Sequence, residues 1–397
     1  MLLYLIIFLI PLIAYLGGGE VNRNKFFLVI FTTFLAFFVG LSDMFGGFDR
    51  YIYGEVFDLI ADDITQGNNV FEGQAFGFFE IGYSLLCFVI ALVTENRYIF
   101  ILTLTLIIYF NLYTTFKRHL KNYPFAFILF LGMTFFFTFT YLRQVLAFSV
   151  AWLGIKYLLE GRKWHFLLVV SMVALLHKSG IIFAALWFMP VKKWRPNQVY
   201  NILLVCGLIG ISGITGSLYD AALGSGMIVE QGNDYNASGS ARFAYVLEVI
   251  FFVWIILKNY DKIDETQENL IFLNMAWAFC AILLLFVRSS DGGRVAWFFT
   301  MGIIYTINLI VTNKGVSTST GIKRASKSFV AKMLIFVMFL LYFRVYNAWQ
   351  VVMNLYPYKT FLTNGHREGD PVFRDYEYDG NYDKNKFYRP AFRLLKD

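Results

Sequence analysis

Long apolar runs separated by short polar connections extend along most of the chain. They cover residues 2–16, 25–41, 80–94, 98–116, 124–141, 143–159, 164–177, 178–190, 199–213, 242–258, 268–288, 293–311 and 329–346. A helix that crosses a bilayer needs about 20 apolar residues, and several runs are shorter. The pairs 124–159 and 164–190 have almost no polar connection, which indicates half-membrane or re-entrant pieces covered by protein or a water-filled cavity. The pattern predicts an all-α, polytopic transmembrane helix bundle with about 11–14 membrane segments.

Lysine and arginine in the connections indicate how this bundle is oriented. Basic residues cluster at 117–121, 162–163, 192–195, 258–262 and 314–327, and such clusters mark cytoplasmic loops. The loops 42–79 and 214–241 and the tail 347–397 are then extracytoplasmic, around a bundle of residues 1–346. The acidic loop 42–79 fits this orientation only if one neighbouring segment does not cross simply. The candidates are 80–94 and 124–141.

The composition agrees with a membrane protein and excludes other classes. Hydrophobic residues make up 58% of the 397 residues and charged residues only 15%, whereas soluble domains carry about 25% charged residues. A cytosolic enzyme, a nucleic-acid-binding protein and a disordered protein are therefore excluded. The net charge of +7 follows from basic cytoplasmic loops. Cys87, Cys206 and Cys280 lie in apolar runs, where we interpret them as packing residues.

Ionisable side chains at membrane depth are expensive, so each is a functional candidate. The orientation above places these candidates at one membrane face: Arg143 with Gln144, His177, Arg242, Arg288 and Arg294. Guanidinium groups match phosphate oxygens bidentately, so such a group suits a phosphorylated ligand. Simpler interpretations remain open: Arg242 reaching lipid headgroups, Arg288 pairing with Asp291, and His177 as a hydrogen-bonded core residue.

A second candidate site follows the run 25–41. There the sequence Gly46-Gly47-Phe48-Asp49-Arg50-Tyr51-Ile52-Tyr53 combines a carboxylate with glycine and aromatic residues. Aromatic faces stack on sugar rings, and Asp49 could accept a proton from a sugar hydroxyl as a general base. The alternative is a Gly-Gly turn with a solvated Asp49. The chain has no Walker A, HExxH or Cys/His metal spacing, so we expect neither a metal nor another cofactor.

Together these features resemble the EpsG-like polymerases of bacterial exopolysaccharide and O-antigen (Wzy-type) assembly. The resemblance is carried by Gly47-Phe48-Asp49 with Tyr53, Arg143-Gln144 with Ala147, His177 with Ser179, Arg294, and Tyr356-Pro357-Tyr358. Two features depart from the family pattern. The region before Asp49 reads Leu41-Ser-Asp-Met, without the arginine that is common there, and Arg50 stands where an aromatic residue is commoner. We hypothesise that Arg50 replaces the missing cation, and the role of Asp49 stays open.

The resemblance implies a GT-C-like integral membrane glycosyltransferase that joins polyprenyl-diphosphate-linked oligosaccharide repeat units. The product would be a capsular polysaccharide, an exopolysaccharide or an O-antigen chain, made at the outer face of the bacterial cytoplasmic membrane. Arg143, with Arg288 or Arg294, would hold the diphosphate, and Asp49 or His177 would take the acceptor proton. Gln144, Arg242, Arg50 and Tyr53 are further expected substrate-binding residues.

Beyond substrate and bilayer, the resemblance implies flippase and chain-length regulator proteins as partners, and no nucleic acid. Two other functions remain open from the residues. One is a transferase that adds single sugars from polyprenyl-phosphate donors. The other is a flippase for lipid-linked oligosaccharides, which would need cations accessible from both faces.

Overall fold

The computed structural model describes residues 1–42, 48–223, 242–289, 292–312, 327–349 and 389–393, with the single positions 355, 356, 358, 360 and 362. Apart from a β-bridge between Ser42 and Thr360, the regular elements of these residues are helices. The all-α prediction is confirmed. The first half contains α1 (Leu2–Gly17), α2 (Lys25–Gly40), α3 (Phe48–Gln66), α4 (Ile81–Ala91), α5 (Arg97–His119), α6 (Tyr123–Met133), α7 (Phe137–Thr140), α8 (Leu142–Leu159) and α9 (Lys163–Leu176).

The second half begins with a 3-10 helix (Lys178–Ala184) that leads into α10. Its α-helices are α10 (Ala185–Phe188), α11 (Pro196–Ser212), α12 (Ile214–Leu223), α13 (Phe243–Lys258), α14 (Gln267–Leu285), α15 (Gly292–Ala296), α16 (Thr300–Thr312) and α17 (Lys327–Trp349). A short 3-10 turn (Trp297–Phe299) joins α15 to α16, and three others lie at Gly19–Arg23, Val70–Glu72 and Tyr260–Lys262.

Several helices are long and apolar enough to cross a membrane. Within the described residues there are five such helices: Arg97–His119, Leu142–Leu159, Gln267–Leu285, Gly293–Thr312 and Phe329–Trp349. Shorter apolar helices pack around them, so the chain is a multi-pass membrane bundle. Two of the long helices pack very closely: at Gly302 a side chain would collide with the backbone of Met275 and Ala276, so α16 touches α14 directly.

The apolar run 124–141 is interrupted rather than continuous. It forms α6 and α7, with a break at 134–136, and a second break at Tyr141 precedes α8. The Tyr141 backbone has φ −85° and ψ 47°, which is not helical. Because of this second break, Arg143 lies in the first turn of α8, at one end of the bundle. We call this end, which also holds His177 and Arg294, the site end.

The helix α4, within the predicted run 80–94, begins at the site end. Its N-cap Glu80 pairs with Arg143, and the carbonyl of Ala91 accepts from Arg393, which also binds α3. The helix that follows, α5, starts at the same end, because Leu102 packs directly on Gly40 at the end of α2. Asp49 and Arg143 both act on Tyr53, so the beginning of α3, within loop 42–79, shares an end of the bundle with Arg143.

Parts of the predicted extracytoplasmic regions lie outside the described residues: most of 214–241 beyond α12, and most of the tail 347–397. Gly46 and Gly47, Asp291 and Pro357 also lie outside them. Of the described tail positions, Tyr358 donates to the carbonyl of Phe38 at 2.6 Å and stacks on its ring at 4.2 Å. This part of the tail lies against the end of α2.

Candidate functional site

Four helical N-termini converge at the site end. They are the first turns of α3, α8 and α15 and the 3-10 helix that His177 begins. The N-terminal turn of a helix presents unpaired N–H groups and a partial positive charge, which favour anions. The sequence candidates Asp49, Arg143, His177 and Arg294 all belong to these turns or precede them directly. Local chain geometry therefore collects residues that are far apart in the sequence.

Arg143 is a buried cation that is only partly neutralised. Arg143 is 5% exposed, and its guanidinium lies 4.4 Å from the centre of the ring of Phe79. One nitrogen forms an ion pair with Glu80, whereas Nε is buried and has no hydrogen-bond partner in the described structure. A buried donor without a partner costs about 1–3 kcal/mol. The arrangement therefore favours an additional anionic or polar ligand at this guanidinium.

Glu80 is a site residue that the sequence analysis missed. Besides pairing with Arg143, its other carboxylate oxygen accepts from the backbone N–H of Lys178 at 2.9 Å. The carboxylate thus ties the beginning of α4 to α8 and to the turn after His177. Its sequence signal was an acidic residue directly before a short apolar run, and the uncertain course of that run concealed it.

Tyr53 is the point where the separate candidates meet. Its hydroxyl lies within electrostatic reach of Asp49, Arg143 and Arg294. Burial raises the pKa of Tyr53, and Asp49 adds to the effect, so the phenol keeps its proton. The ring of Tyr53 also packs on Phe79 at 5.4 Å and on Tyr83 at 5.8 Å. The rings of Tyr53, Phe79 and Tyr83 thus form an aromatic wall, and one carboxylate and two guanidinium groups act on its Tyr53.

Arg294 connects this wall to the rest of the bundle. Its guanidinium lies 4.2 Å over the ring of Tyr141, and its backbone carbonyl accepts from Nε2 of Gln144 at 2.8 Å. The predicted residue Gln144 therefore positions the chain of Arg294. Arg143 and Arg294 both act electrostatically on Tyr53 and on His177, so the two guanidinium groups share one neighbourhood.

His177 is held in one tautomer by Ser179. Nδ1 accepts from the backbone N–H of Ser179 at 3.3 Å and lies 2.6 Å from its hydroxyl. A backbone N–H can only donate, so Nδ1 carries a lone pair and neutral His177 carries its proton on Nε2. Arg143, Arg294 and Lys178 are the cations that act on the ring. The geometry therefore suits a hydrogen-bond donor better than a base.

A cavity of about 990 Å³ opens from Arg294 between α13, α14 and α17. Arg242, Arg344 and Glu248 also line it, and most of the remaining lining is apolar or aromatic, including Phe137, Tyr141, Phe243, Phe251, Trp297 and Trp349. Glu248 and Arg344 were missed by the sequence analysis. The signal was available, because both are charged residues inside predicted apolar runs.

Two predicted substrate-binding arginines have other surroundings. Arg50 is fully buried and donates to the carbonyls of Phe139, Val39 and Ser42 at 3.1, 3.1 and 2.9 Å. Arg288 is exposed and donates to the carbonyl of Ile211 at 3.2 Å, at the end of α11. Arg50 thereby fastens the beginning of α3 to α2 and α7. Neither guanidinium lines the cavity beside Arg294.

In the described residues no group of three or more His, Cys, Asp or Glu side chains could hold a metal ion.

Comparison with known proteins identifies the family of the chain. No curated protein and no solved structure matches the chain. The EpsG family matches residues 1–360, which include α1 to α17 and with them the residues at the site end. This match covers most of the sequence, and the chain therefore belongs to the EpsG family.

Proposed function

We propose that the protein is a polysaccharide polymerase, which joins polyprenyl-diphosphate-linked oligosaccharide repeat units at the outer face of the bacterial cytoplasmic membrane. The observation that carries the proposal is the meeting of Asp49, Arg143 and Arg294 around Tyr53. A carboxylate, an aromatic wall and two guanidinium groups are what a reaction between a sugar hydroxyl and a glycosyl diphosphate requires. The family membership supports the same reaction.

The diphosphate is held between Arg143 and Arg294. Arg143 offers a buried Nε without a partner, and Arg294, which also acts on Tyr53, contributes the second charge. When the glycosidic bond to the diphosphate breaks, negative charge develops on the leaving oxygen. Positive groups already fixed in a site of low dielectric stabilise that charge without reorganisation. His177 adds a neutral donor through Nε2.

Asp49 is the base that accepts the proton of the acceptor hydroxyl. The hydroxyl oxygen then attacks the anomeric carbon, and the lipid diphosphate leaves from the opposite side, so the configuration at that carbon inverts. His177 does not compete for this role, because its Nδ1 already accepts from Ser179. The rings of Phe79 and Tyr53 beside Asp49 supply faces on which sugar rings stack.

The isoprenoid part of the donor occupies the cavity between α13 and α17. This cavity starts at Arg294 and is lined largely by apolar and aromatic groups. Arg242 and Arg344 add positive charge along its wall, which attracts an anionic lipid. Such a cavity lets the lipid stay in the membrane while its diphosphate reaches Arg143.

The deciding experiment uses purified full-length protein in detergent with lipid-linked repeat units and no added nucleotide or membrane. A ladder of products spaced by one repeat unit is the expected result. A single added sugar from a polyprenyl-phosphate sugar would indicate a simple transferase instead. The absence of any new glycosidic bond, combined with movement of the same lipid across a reconstituted bilayer, would indicate a flippase.

The role of Asp49 is tested by Asp49→Asn, which keeps the shape and removes the base. We expect the rate of chain growth to fall by about 10²–10⁴-fold. Asp63→Asn is the matched control, because Asp63 lies on the same helix but near its other end. A normal rate of chain growth in Asp49→Asn would exclude Asp49 as the base.

A further inference from the structure

Residues 389–393 lie against the C-terminal ends of α3 and α4. Arg393 donates from Nε to the carbonyl of Ala91 at 2.6 Å, and its two terminal nitrogens reach the carbonyl of Ala61 at 2.9 Å and the hydroxyl of Thr65 at 2.8 Å. Its backbone N–H donates to the carbonyl of Val93 at 3.0 Å. One side chain thus joins both helices.

Arg389 adds a second attachment to α3, at the residue that follows Ala61. Its guanidinium pairs with Asp62 at 2.6 Å, and its backbone carbonyl accepts from Nδ2 of Asn96 at 2.6 Å. Asn96 is also the N-cap of α5. The short segment therefore contacts α3, the end of α4 and the beginning of α5. We call residues 389–393 the staple.

The opposite ends of the same two helices form the proposed active site. The first turns of α3 carry Asp49 and Tyr53, and the N-cap of α4 is Glu80, the partner of Arg143. The two helices run in the same direction: Tyr53 packs on Tyr83, and Ala61 and Ala91 share Arg393. A rotation or separation of the two helices at the staple would therefore move Asp49, the proposed base, relative to Arg143, which is proposed to bind the diphosphate.

We propose that the staple positions α3 and α4 for catalysis, with Arg393 as its central residue and Arg389 as its second anchor. An arginine suits this place, because it can bind several carbonyl oxygens at once and its charge complements the C-terminal end of a helix. The staple lies beyond the matched residues 1–360, so it is a property of this chain that the family membership does not supply. It rests on the proposed function only for its activity readout.

The first test compares Arg393→Ala and Arg393→Lys in the full-length protein. We expect the maximal rate of polymerisation to fall by at least about tenfold in Arg393→Ala, since a shift of about 1 Å at a reacting group can cost about 10²-fold. The KM for the lipid-linked repeat unit and the melting temperature should stay near the wild-type values. Arg23→Ala, at an exposed arginine in the first 3-10 turn, is the control.

A charge exchange distinguishes positioning from general destabilisation. Asp62→Arg and Arg389→Asp should each lower the maximal rate, and the double variant should recover most of it, since two residues in contact couple energetically. If the rates of these variants merely follow the amount of folded protein, or if the double variant recovers nothing, the positioning role is wrong.

A distance measurement tests the staple without relying on polymerase activity. Spin labels are placed at Leu59 on α3 and Leu85 on α4, both exposed, after replacement of Cys87, Cys206 and Cys280. The wild-type background should give a narrow distance distribution, and Arg393→Ala should broaden or shift it. An unchanged distribution, or a changed distribution with an unchanged rate, overturns the proposal. If the wild type makes no ladder, the proposed function fails, whereas a broadened distribution still supports the staple.

Discussion

Two buried arginines near the same end of the bundle, Arg97 and Arg143, have opposite surroundings. Arg97 is fully buried and forms ion pairs with both Glu55 and Asp58, and it lies 5.6 Å over the ring of Tyr51. Arg143 has a single carboxylate partner, Glu80. Both guanidinium groups contact an aromatic ring, so the difference lies in the charges around them.

The local charge balance separates a structural arginine from a ligand-binding arginine. The two carboxylates at Arg97 more than neutralise it, so a phosphate would be repelled there. Around Arg143 the cations outnumber the carboxylates, because Arg143, Arg294 and Lys178 all act on His177, whereas Glu80 and Asp49 are the nearby acids. A buried charge is expensive unless it is paired. An excess of buried positive charge therefore identifies a place where an anionic ligand completes the structure.

The largest expected effect is on stability, at Arg97. Arg97→Ala leaves Asp58 and Glu55 without their cation in a buried place, and breaking a buried ion pair from one side costs about 3–5 kcal/mol. We expect a clear loss of folded protein and a lower melting temperature in detergent, with residual activity per folded molecule near normal. Thermal unfolding, followed by the fluorescence of buried tryptophan, measures this.

The companion variant for Arg97 removes the stranded charges as well. Arg97→Ala combined with Glu55→Gln and Asp58→Asn should recover part of the lost stability, because the remaining groups are neutral. If Arg97→Ala alone melts like the wild type, the ion pairs at Arg97 do not support the fold, and the contrast with Arg143 disappears.

The next effect is on catalysis, at Arg143. Arg143→Ala should lower the rate of polymerisation by about 10²–10³-fold, the range found when one preorganised donor to a developing charge is removed. Arg143→Lys keeps the positive charge but loses the planar guanidinium, so its rate of polymerisation should lie between those of the wild type and Arg143→Ala. The melting temperature should fall less than in Arg97→Ala, because a single carboxylate, Glu80, loses its cation and keeps its bond from the backbone N–H of Lys178. If both variants make chains of normal length, Arg143 does not bind the diphosphate.

A smaller effect is expected in the cavity, where Glu248 and Arg344 have opposite signs. Arg344→Ala removes a cation from the path of an anionic lipid and should raise its KM about fivefold, equivalent to about 1 kcal/mol for one basic residue. Glu248→Gln should lower the KM, because it removes a like charge. The maximal rate should stay unchanged in both variants. If the KM shifts in the same direction and by the same amount in Arg344→Ala and Glu248→Gln, the lipid does not pass these residues.

Much of the fold could be predicted from the sequence, because a bilayer restricts a spanning chain to apolar helices. The course of 80–94 could not. Its composition is that of a short span, whereas in the structure Glu80, at its beginning, pairs with a residue in the first turn of α8. Such an ion pair depends on tertiary contact, which hydropathy does not contain.

The candidate site was predictable in its residue types and only partly in their roles. Charged residues inside apolar runs pointed to Arg143 and Arg294, and the same rule applied to Glu248 would have found the cavity. Arg50 shows the limit: its sequence context suggests a ligand, but its guanidinium binds three backbone carbonyls. Whether an arginine faces a ligand or the backbone depends on which carbonyls are left unpaired at helix ends, and the sequence does not list them.

The smallest expected effect is on the stability of the protein when Arg118, at the other end of α5, is replaced. Arg97 begins this helix, and Arg118 lies in its last turn, where it pairs with Glu160 at 3.0 Å. Both partners are exposed, at 46% and 41%, so water already solvates each charge. Exposed ion pairs contribute between about 0 and 1 kcal/mol. Arg118→Ala should therefore lower the melting temperature by no more than about 2 °C and leave the product ladder unchanged. A loss as large as that of Arg97→Ala would show that the number of arginine ion pairs, and not their burial, determines the stability of this bundle.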